Sequence, residues 1–324
     1  MDLKDKNILI TGANGLVGIP TVSLALEQAA QVCATDIVIG PELIDLASRY
    51  HNLRLIKADL TEYDQCRELF DHDVDVVLHL AGIKGSPIRA RFKPADYFIP
   101  MVSFNTNIAR LSQANNCWLV YMSSVGVYSP SEEMNEEDVW NTMPSENDWY
   151  PGWAKRCGEL AIQSLSIQYD WHRYTILRPA NIFGEHDQFN PDATVIASNV
   201  YKLFNTEGDL VCWGDGSARR DFVFARDVAW ASLQAVKNEI VGAVNFGRGD
   251  VYSILEIIEI LIDEYKKITN IDKNIIWDHT KPNGDRIRKL GTELQKKYQI
   301  YQHTDLRQAL RLTIESYKKI KETR

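Results

Sequence analysis

The sequence of 324 residues lacks the patterns that mark several common protein classes. Its five cysteines are scattered and show no CxxC spacing, so neither a disulfide framework nor a zinc or other metal site is predicted. No run reaches the roughly 18 consecutive apolar residues that a membrane-spanning helix needs. A basic excess is also absent, because 44 acidic and 36 basic side chains give a net charge of −8, which argues against nucleic-acid or membrane partners.

The stretch after Met1 lacks the apolar segment of an export signal, and the chain shows neither an internal repeat nor a low-complexity linker. A hydrophobic content of 45% over 324 residues is enough to bury a large core. These features predict a cytoplasmic globular enzyme or binding protein with one large domain or two closely joined ones.

Short apolar runs alternate with helix-like segments over the first 180 residues. Residues after Pro179 are richer in Gly, Asn and Asp, which predicts a smaller C-terminal α/β region. The alternation predicts an α/β fold with a doubly wound parallel (Rossmann) sheet and helices on both faces. The runs that fit its buried strands are residues 7–12, 31–38, 53–59, 74–82, 118–124 and 173–179.

The change in amino-acid composition after Pro179 also predicts the domain limits. Residues 1–178 form the first domain, and residues 219–246, which read as a strand followed by a helix, return to it. Residues 179–218 and 247–324 form the second domain. Within the second domain, residues 253–267 begin with a Ser-x-x-Glu capping box and carry apolar residues at helical spacing, which is typical of a core helix.

A glycine-rich turn, "TGANGLVGIP", joins the first predicted strand to the first predicted helix. Glycines permit a tight turn there and let backbone amides approach a pyrophosphate, which the start of the helix also attracts. The strand-turn-helix context therefore predicts a dinucleotide site. Its predicted contacts in this turn are Gly12, Asn14, Gly15, Leu16, Val17 and Gly18.

Asp36 stands at the end of the second predicted strand, 18 residues after Gly18. A carboxylate there can accept hydrogen bonds from the adenosine ribose hydroxyls and repel a 2′-phosphate, so NAD is predicted in preference to NADP. An exposed charge at the strand end is the alternative. His79, in the apolar fourth run, is expected to be a packed core histidine. Further predicted contacts to the dinucleotide are Asp59, Leu60, Leu80, Ala81 and Gly82.

A series of short motifs follows the glycine-rich turn along nearly the whole chain. They are Asp36, "ADL", "HLAG", "MSSVGVY", "GWAKRCGE", "LRPANIFG", "RRDFVFARDVA" and "VNFGRGD". Their order resembles the extended short-chain dehydrogenase/reductases that act on nucleotide sugars, the NAD-dependent epimerase/dehydratase family. Residues 74–115 and 181–198 most resemble GDP-fucose synthases and related GDP-sugar enzymes. The resemblance implies an NAD-binding first domain, a nucleotide-sugar-binding second domain and a homodimer.

The resemblance also implies a serine, a tyrosine and a lysine that act on a sugar hydroxyl, usually at C4. Ser124 is expected to contact this hydroxyl, with Ser123 as the weaker alternative. Lys155 matches the family lysine, which binds the cofactor and lowers the pKa of the tyrosine so that its phenolate can take a proton. The positions at which the family holds the sugar nucleotide are Asn181, Arg220 and Arg288. Either of these two arginines could instead be a surface residue or pair with an aspartate.

One residue departs from this pattern, because Pro151 stands where the tyrosine belongs. Tyr150 lies five residues before Lys155, and five residues turn a regular helix through about 140°. The residue before a proline avoids the α conformation, so Tyr150 is predicted to be an extended N-cap residue outside the helix. Its ring would then fold back towards Lys155 and act as acid and base. The alternatives are another group in this role, or loss of turnover.

Two further departures bear on the reaction. Gly126 and Thr194 stand where GDP-fucose synthases have the cysteine and histidine of their epimerisation step, so a 3,5-epimerase is not expected. Val125-Gly126 cannot supply the Asp-Glu pair of a 4,6-dehydratase, which makes that reaction a less favoured alternative. The predicted function is therefore NAD-dependent redox chemistry at C4 of a nucleotide sugar, as a 4-dehydrogenase or 4-epimerase. The resemblance implies that this sugar is GDP-linked. A catalytically silent NAD-binding regulator or scaffold is the alternative from another class.

Overall fold

The computed structural model describes residues 1–84, 87–301 and 304–323 of the chain. Residues 85 and 86, within the GDP-fucose-synthase-like stretch 74–115, lie outside the described residues. In chain order the strands are β1 (Asn7–Thr11), β2 (Gln31–Asp36), β3 (Leu53–Lys57), β4 (Val76–His79), β5 (Trp118–Met122), β6 (Tyr174–Pro179), β7 (Asn181–Phe183), β8 (Leu210–Trp213), β9 (Arg219–Arg220), β10 (Phe222–Phe224), β11 (Gly242–Phe246), β12 (Tyr252–Ser253), β13 (Ile275–Asp278) and β14 (Ile287–Arg288).

Helices and short 3₁₀ turns join these strands. The helices are α1 (Gly18–Glu27), α2 (Pro41–Arg49), α3 (Tyr63–Glu68), α4 (Pro87–Phe92), α5 (Pro94–Ala114), α6 (Trp149–Tyr169), α7 (Val195–Asn205), α8 (Ala225–Lys237), α9 (Ile254–Thr269), α10 (Glu293–Lys297) and α11 (Leu306–Thr323). The 3₁₀ turns are Val125–Val127, Glu136–Trp140 and Glu146–Asp148. None of the described helices has the length and apolar character needed to cross a membrane.

The central layer is a seven-stranded parallel sheet in the order β11-β6-β5-β4-β1-β2-β3. The order in which the strands follow one another reverses at the β1–β4 pair, because β2 and β3 extend the sheet on one side and β5, β6 and β11 extend it on the other. The carboxyl ends of β1 and β4 therefore border a crevice, which is where sheets of this kind bind ligands. This topology confirms the predicted doubly wound parallel sheet.

Side chains on the central strands alternate between two apolar clusters. Ile8 and Ile10 lie in the cluster that includes residues of α1 and α8, whereas Leu9 lies in the cluster that includes residues of α5 and α6. Every residue of β4 and β5 is buried. Burial on both faces explains why these strands read as continuous apolar runs in the sequence.

The segment 219–246 divides between two parts of the molecule. β11 pairs with β6 in the central sheet, and α8 packs against α1. By contrast, β10 pairs with β7, while β9 pairs with β12 and β14, all outside the central sheet. The chain thus re-enters the central layers at α8 and not at residue 219, and the remaining domain limits stay a prediction.

The C-terminal region has an apolar cluster of its own, formed largely by α7, α9 and α11. Helix α9 begins with the predicted capping box, in which the Ser253 hydroxyl accepts from the Glu256 amide at 3.1 Å and the Glu256 carboxylate accepts from the Ser253 amide at 2.6 Å. Its buried residues include Ile257, Ile258 and Leu261. The prediction of a core helix here is confirmed.

Candidate active site

A cleft of about 1270 Å³ lies at the carboxyl ends of the central strands. One wall consists of the turn between β1 and α1 together with the ends of β2, β3, β4 and β5. The opposite wall comes from residues after β6, including Arg220 and Arg288. The cleft therefore lies where the two predicted domains would meet, and all predicted cofactor contacts line it.

The glycine-rich turn leaves no room for a side chain at Gly12 or Gly18. Gly12 has a φ of +66°, and a Cβ added there would lie 2.7 Å from the backbone nitrogen of Ala81. A Cβ on Gly18 would lie 2.1 Å from the carbonyl oxygen of Gly12. The turn therefore brings bare backbone and the first turn of α1 to the cleft, which suits a pyrophosphate group.

Replacing Gly12 with alanine is expected to weaken NAD binding by at least about 10-fold, because the left-handed backbone and the contact with Ala81 both force the turn to move. Isothermal titration with NAD measures the change. Gly208→Ala is the matched control, since Gly208 has a φ of +69° but no atom within 4 Å of an added Cβ. Equal NAD affinities for the Gly12 variant and the parent would contradict the assignment of the turn at residues 12–18, here called the glycine cradle, to the dinucleotide.

Asp36 is held at the end of β2 by backbone hydrogen bonds. One carboxylate oxygen accepts from the Asn14 amide at 3.0 Å, and the other is 3.4 Å from the Val38 amide. The carboxylate remains at the cleft surface, as a contact to ribose hydroxyls requires. Asp59 instead accepts from the amide and hydroxyl of Thr61 at 2.9 and 2.8 Å, which stabilises the turn after β3. The glycine cradle and Asp36 together fit NAD.

Lys155 projects from α6 to the end of β5 and is 6% exposed. Its ammonium donates to the carbonyl oxygen of Met122 at 2.6 Å and is 3.4 Å from that of Ala81. Burial lowers the pKa of Lys155 from its ordinary 10.5 to about 8, against the opposing effect of the Glu159 carboxylate. Lys155 is therefore a cation in the cleft wall at neutral pH whose charge is sensitive to its surroundings.

Of the two adjacent serines, Ser124 is the better placed for a ligand. Its hydroxyl oxygen accepts from the Gly126 amide at 3.0 Å, which leaves its proton for another partner. The Ser123 hydroxyl instead donates to the buried Glu159 carboxylate at 2.5 Å. Ser124 and Lys155 both line the cleft, so the structure brings these two predicted residues together.

A buried ion pair supports this part of the cleft. The Arg178 guanidinium donates to both carboxylate oxygens of Glu159, at 3.0 and 2.7 Å, and to the Tyr128 hydroxyl at 2.9 Å. The two charged side chains are 1% and 0% exposed. Because Glu159 also holds Ser123, the pair ties α6 and β6 to the loop that carries Ser124.

The predicted conformation of Tyr150 is wrong. Helix α6 begins at Trp149 with Asp148 as its N-cap, so Tyr150 lies inside the first turn and is not an extended cap. Pro151 is tolerated because amides of the first helical turn have no carbonyl partner within the helix. Close packing holds this turn in place, since a Cβ on Gly152 would lie 2.5 Å from the carbonyl oxygen of Gly126.

Tyr150 is consequently not brought together with Ser124 and Lys155. Its side chain is 40% exposed and lies outside the cleft lining, whereas Pro151 and Lys155 line the cleft. The reason is the rotation of about 140° between residues five apart, which applies once Tyr150 is helical.

Tyr97 is the one tyrosine that lines the cleft within the described part of the chain, and sequence reasoning missed it. It is 2% exposed, and its buried hydroxyl has no hydrogen-bond partner among the described residues. Tyr97, Met101 and Phe104 all face the cleft from α5. Their helical spacing is typical of an apolar core face, so the sequence contained no signal that separates Tyr97 from a packing residue.

The two candidate arginines have different surroundings. Arg288 is 8% exposed and forms ion pairs with Asp148 and Asp285, so the aspartate-paired alternative holds for this residue. Arg220 donates to the carbonyl oxygen of Arg219 at 2.8 Å and pairs with no carboxylate among the described residues. Burial, and then the charge of Arg288, lower the pKa of Arg220 to about 10, so it stays cationic at neutral pH.

Arg220 is thus the arginine with charge available for a diphosphate. Asn181 lines the same wall, and its side-chain amide donates to the carbonyl oxygen of Asp221 at 2.8 Å.

His79 is a packed core histidine, as the sequence predicts. Its ring nitrogens lie 2.7 Å from the Thr11 hydroxyl and 3.0 Å from the side-chain oxygen (Oδ1) of Asn105, and burial lowers the pKa of His79 to about 3.

Known proteins share both the sequence pattern and the fold. GDP-L-fucose synthase 1 of Arabidopsis thaliana is 25% identical over 88% of this chain and 84% of that protein. GDP-L-colitose synthase of Yersinia pseudotuberculosis is 23% identical over 96% of this chain and 97% of that protein. The structure of UDP-N-acetylglucosamine 4-epimerase from Methanobrevibacter ruminantium M1 superposes with a TM-score of 0.83, at 25% identity, over 98% of this chain and 99% of that one.

The family model for the NAD-dependent epimerase/dehydratase family matches residues 8–247, most of the chain. This match confirms the resemblance seen in the motif order, and with it the predicted NAD cofactor and the prediction of an enzyme. The glycine cradle, Asp36, Ser124 and Lys155 all lie within the matched region. The chain therefore belongs to the NAD-dependent epimerase/dehydratase family.

Proposed function

We propose that the protein catalyses NAD-dependent redox chemistry at C4 of a nucleotide-activated sugar, as a 4-dehydrogenase or a 4-epimerase. The observation that carries the proposal is the presence in one cleft of the glycine cradle, Ser124, Lys155 and Arg220, whose guanidinium pairs with no carboxylate of the described residues. Relatives named for GDP-L-fucose and GDP-L-colitose synthesis support a GDP-linked sugar.

Each of these groups has a distinct role in the proposed chemistry. Arg220, with Asn181 beside it, binds the diphosphate and directs the sugar towards the ends of β4 and β5. The Ser124 hydroxyl donates to the oxygen on C4, and the Lys155 ammonium stabilises negative charge that develops on that oxygen. NAD, when bound in the glycine cradle, supplies the hydride acceptor.

Proton transfer needs a further group, because Pro151 cannot supply one. We propose that the Tyr97 phenol exchanges this proton. Tyr97 lines the cleft, and its hydroxyl has no hydrogen-bond partner in the described part of the chain. Helix α5 packs beside α6, with the Asn105 side-chain amide 3.4 Å from the Ala154 carbonyl oxygen. The sequence-based candidate, Tyr150, stays a prediction that the same experiment tests.

Tyr97→Phe is expected to lower turnover by on the order of 100-fold, because a general acid/base would be lost. Tyr150→Phe is the matched control and should stay within about 2-fold of the parent, since its ring lies outside the cleft. Initial rates on the active nucleotide sugar give both values. If Tyr150→Phe loses turnover and Tyr97→Phe does not, the first turn of α6 rearranges on ligand binding and the original assignment of Tyr150 is right.

A panel of GDP-, UDP- and dTDP-linked sugars tests the proposed function. A 4-dehydrogenase converts NAD to NADH, which absorbance at 340 nm detects, whereas a 4-epimerase changes the sugar without net NADH and is detected by chromatography. If no sugar of the panel gives NADH and none is converted to another sugar, the proposal that the protein is a catalyst would be overturned.

The second candidate function is a catalytically silent NAD-binding regulator or scaffold. Pro151 in the tyrosine position and the outward direction of Tyr150 favour it. Binding of NAD and a nucleotide sugar with no change in either would support this candidate. A 4,6-dehydratase remains less favoured, because the 3₁₀ turn after Ser124 consists of Val125, Gly126 and Val127 and offers no acid/base group.

The homodimer and the cytoplasmic location stay predictions. Helix α6 carries apolar side chains at the surface, including Leu160 at 56%, Ile167 at 85% and Tyr169 at 53% exposure. A second copy of the chain that packed on this face would cover them, as the resemblance implies.

A further inference from the structure

The cleft wall contains buried polar atoms that lack hydrogen-bond partners among the described residues. They are the Tyr97 hydroxyl, Asp187 Oδ2 and the Thr194 hydroxyl. Buried polar groups in native proteins nearly always have a partner, because an unsatisfied group loses its hydration without compensation. Such atoms in a cleft wall are available to a ligand that completes their hydrogen bonds.

Asp187 and Thr194 share one recess of the cleft, next to Lys84. Asp187 Oδ1 accepts from the Lys84 ammonium at 2.7 Å and from the Gln188 amide at 2.8 Å. These bonds fix the carboxylate, whose side chain is 1% exposed. Its second oxygen has no hydrogen-bond partner among the residues that the structure describes. The acceptor is therefore held in position before any ligand arrives.

Thr194 provides an independent observation. It is the N-cap residue of α7, a position where threonine usually accepts a hydrogen bond from the helix. Here its side chain makes no capping hydrogen bond, and its hydroxyl is buried at the recess. The hydroxyl is thus available to a ligand instead of stabilising the helix.

The chemistry of the recess defines the class of group that it binds. A carboxylate oxygen only accepts hydrogen bonds, so its partner must be a donor, while a threonine hydroxyl both donates and accepts. Lys84 already offsets the charge of Asp187, which removes the advantage of a cationic ligand. A neutral hydroxyl group fits both atoms.

We propose that Asp187 and Thr194 form a subsite that binds hydroxyl groups of the sugar ring. The proposal rests on the proposed function, in which Arg220 holds the diphosphate of the same ligand. Both residues line the cleft that contains Arg220 and Ser124, so the sugar ring would be bound between the diphosphate site and the recess. Lys84 acts as a positioning residue for Asp187.

Isothermal titration of the NAD-loaded protein with GDP-mannose and with GDP, and with UDP-glucose and UDP, tests the subsite. Asp187→Asn replaces a charged acceptor, so the affinity for the nucleotide sugar should fall by about 10-fold to 100-fold. Thr194→Val removes one neutral hydrogen bond and should lower it by about 3-fold to 10-fold. Affinity for the bare nucleoside diphosphate should stay within about 2-fold, because that ligand has no sugar ring to reach the recess.

Thr206→Val is the matched control, because this exposed threonine follows α7 and is outside the cleft lining. Thr194→Val should also leave the melting temperature of the ligand-free protein unchanged or higher, since the Thr194 hydroxyl forms no hydrogen bond with the described residues. A lower melting temperature, or equal losses for GDP and GDP-mannose, would overturn the subsite. A parent that binds the nucleotide sugar no more tightly than its nucleoside diphosphate would overturn it too, whereas a parent that binds neither would contradict the proposed function itself.

Discussion

Replacing Lys155 with methionine should lower turnover of the nucleotide sugar by at least about 100-fold. Methionine fills a similar volume, so the packing of α6 against β5 is kept while the ammonium is lost. This ammonium is 2.6 Å from the Met122 carbonyl oxygen and lies beside the cleft that Ser124 lines, where charge on the substrate oxygen would develop. Initial rates at saturating NAD measure the loss.

Lys266→Met is a suitable control, because the Lys266 ammonium pairs with Asp272 at the surface and Lys266 is not among the residues that line the cleft. The control should keep parental turnover. Lys155→Met with parental turnover would show that the buried ammonium has no role in the reaction.

The same variant tests the charge state of Lys155 without any substrate. Its pKa of about 8 in the folded protein lies below the ordinary 10.5, so the unfolded chain binds the proton more tightly. Below about pH 8, Lys155 is charged in both states, and the full cost of burying its charge lowers the free energy of unfolding. Between pH 8 and pH 10.5 the folded protein loses this proton before the unfolded chain does, so the free energy of unfolding rises with pH. The unfolding free energy of the parent relative to Lys155→Met should therefore increase from pH 8 to pH 10.5 in the ligand-free protein. A constant difference over this range would contradict the lowered pKa.

Replacing Glu159 with alanine should reduce the free energy of unfolding by about 3–5 kcal/mol. The change leaves the Arg178 guanidinium, which is 1% exposed, buried without its carboxylate, and it removes the acceptor of the Ser123 hydroxyl. Equilibrium unfolding in urea measures the loss. Turnover should fall as well, because the loop that carries Ser124 loses one of its attachments to α6.

Glu293→Ala is the matched control for the ion pair. Glu293 pairs with Lys296 at 3.3 Å and is 86% exposed, so its removal should cost no more than about 1 kcal/mol. If Glu159→Ala is too unstable to purify, Glu159→Gln keeps the shape of the side chain and removes its charge. A Glu159→Gln variant as stable as the parent would contradict the importance of the charge.

The central sheet, the glycine cradle and the position of Asp36 could all be predicted from the sequence alone. These features depend on local signals, because a strand buried on both faces must be continuously apolar and a tight turn beside Ala81 must consist of glycine. The order of motifs likewise predicted the family and the placing of Lys155 and Ser124 in one cleft. Each of these predictions depends on short stretches of neighbouring residues.

The side chains that the cleft contains, and the partners that they bind, became apparent only in the folded protein. It placed Tyr97 in the cleft and Tyr150 outside it, since whether α6 begins before or after Tyr150 depends on packing of the first turn against Gly126. It also paired Arg288 with Asp148, 140 residues away.

The pairing of Lys84 with Asp187 spans 103 residues and was equally invisible in the sequence. Contacts between such distant residues have no periodicity or spacing that a single sequence can display. They are set by how the C-terminal region packs over the ends of the central strands, and this packing leaves Arg220, Asp187 and Thr194 with hydrogen-bonding capacity for a ligand.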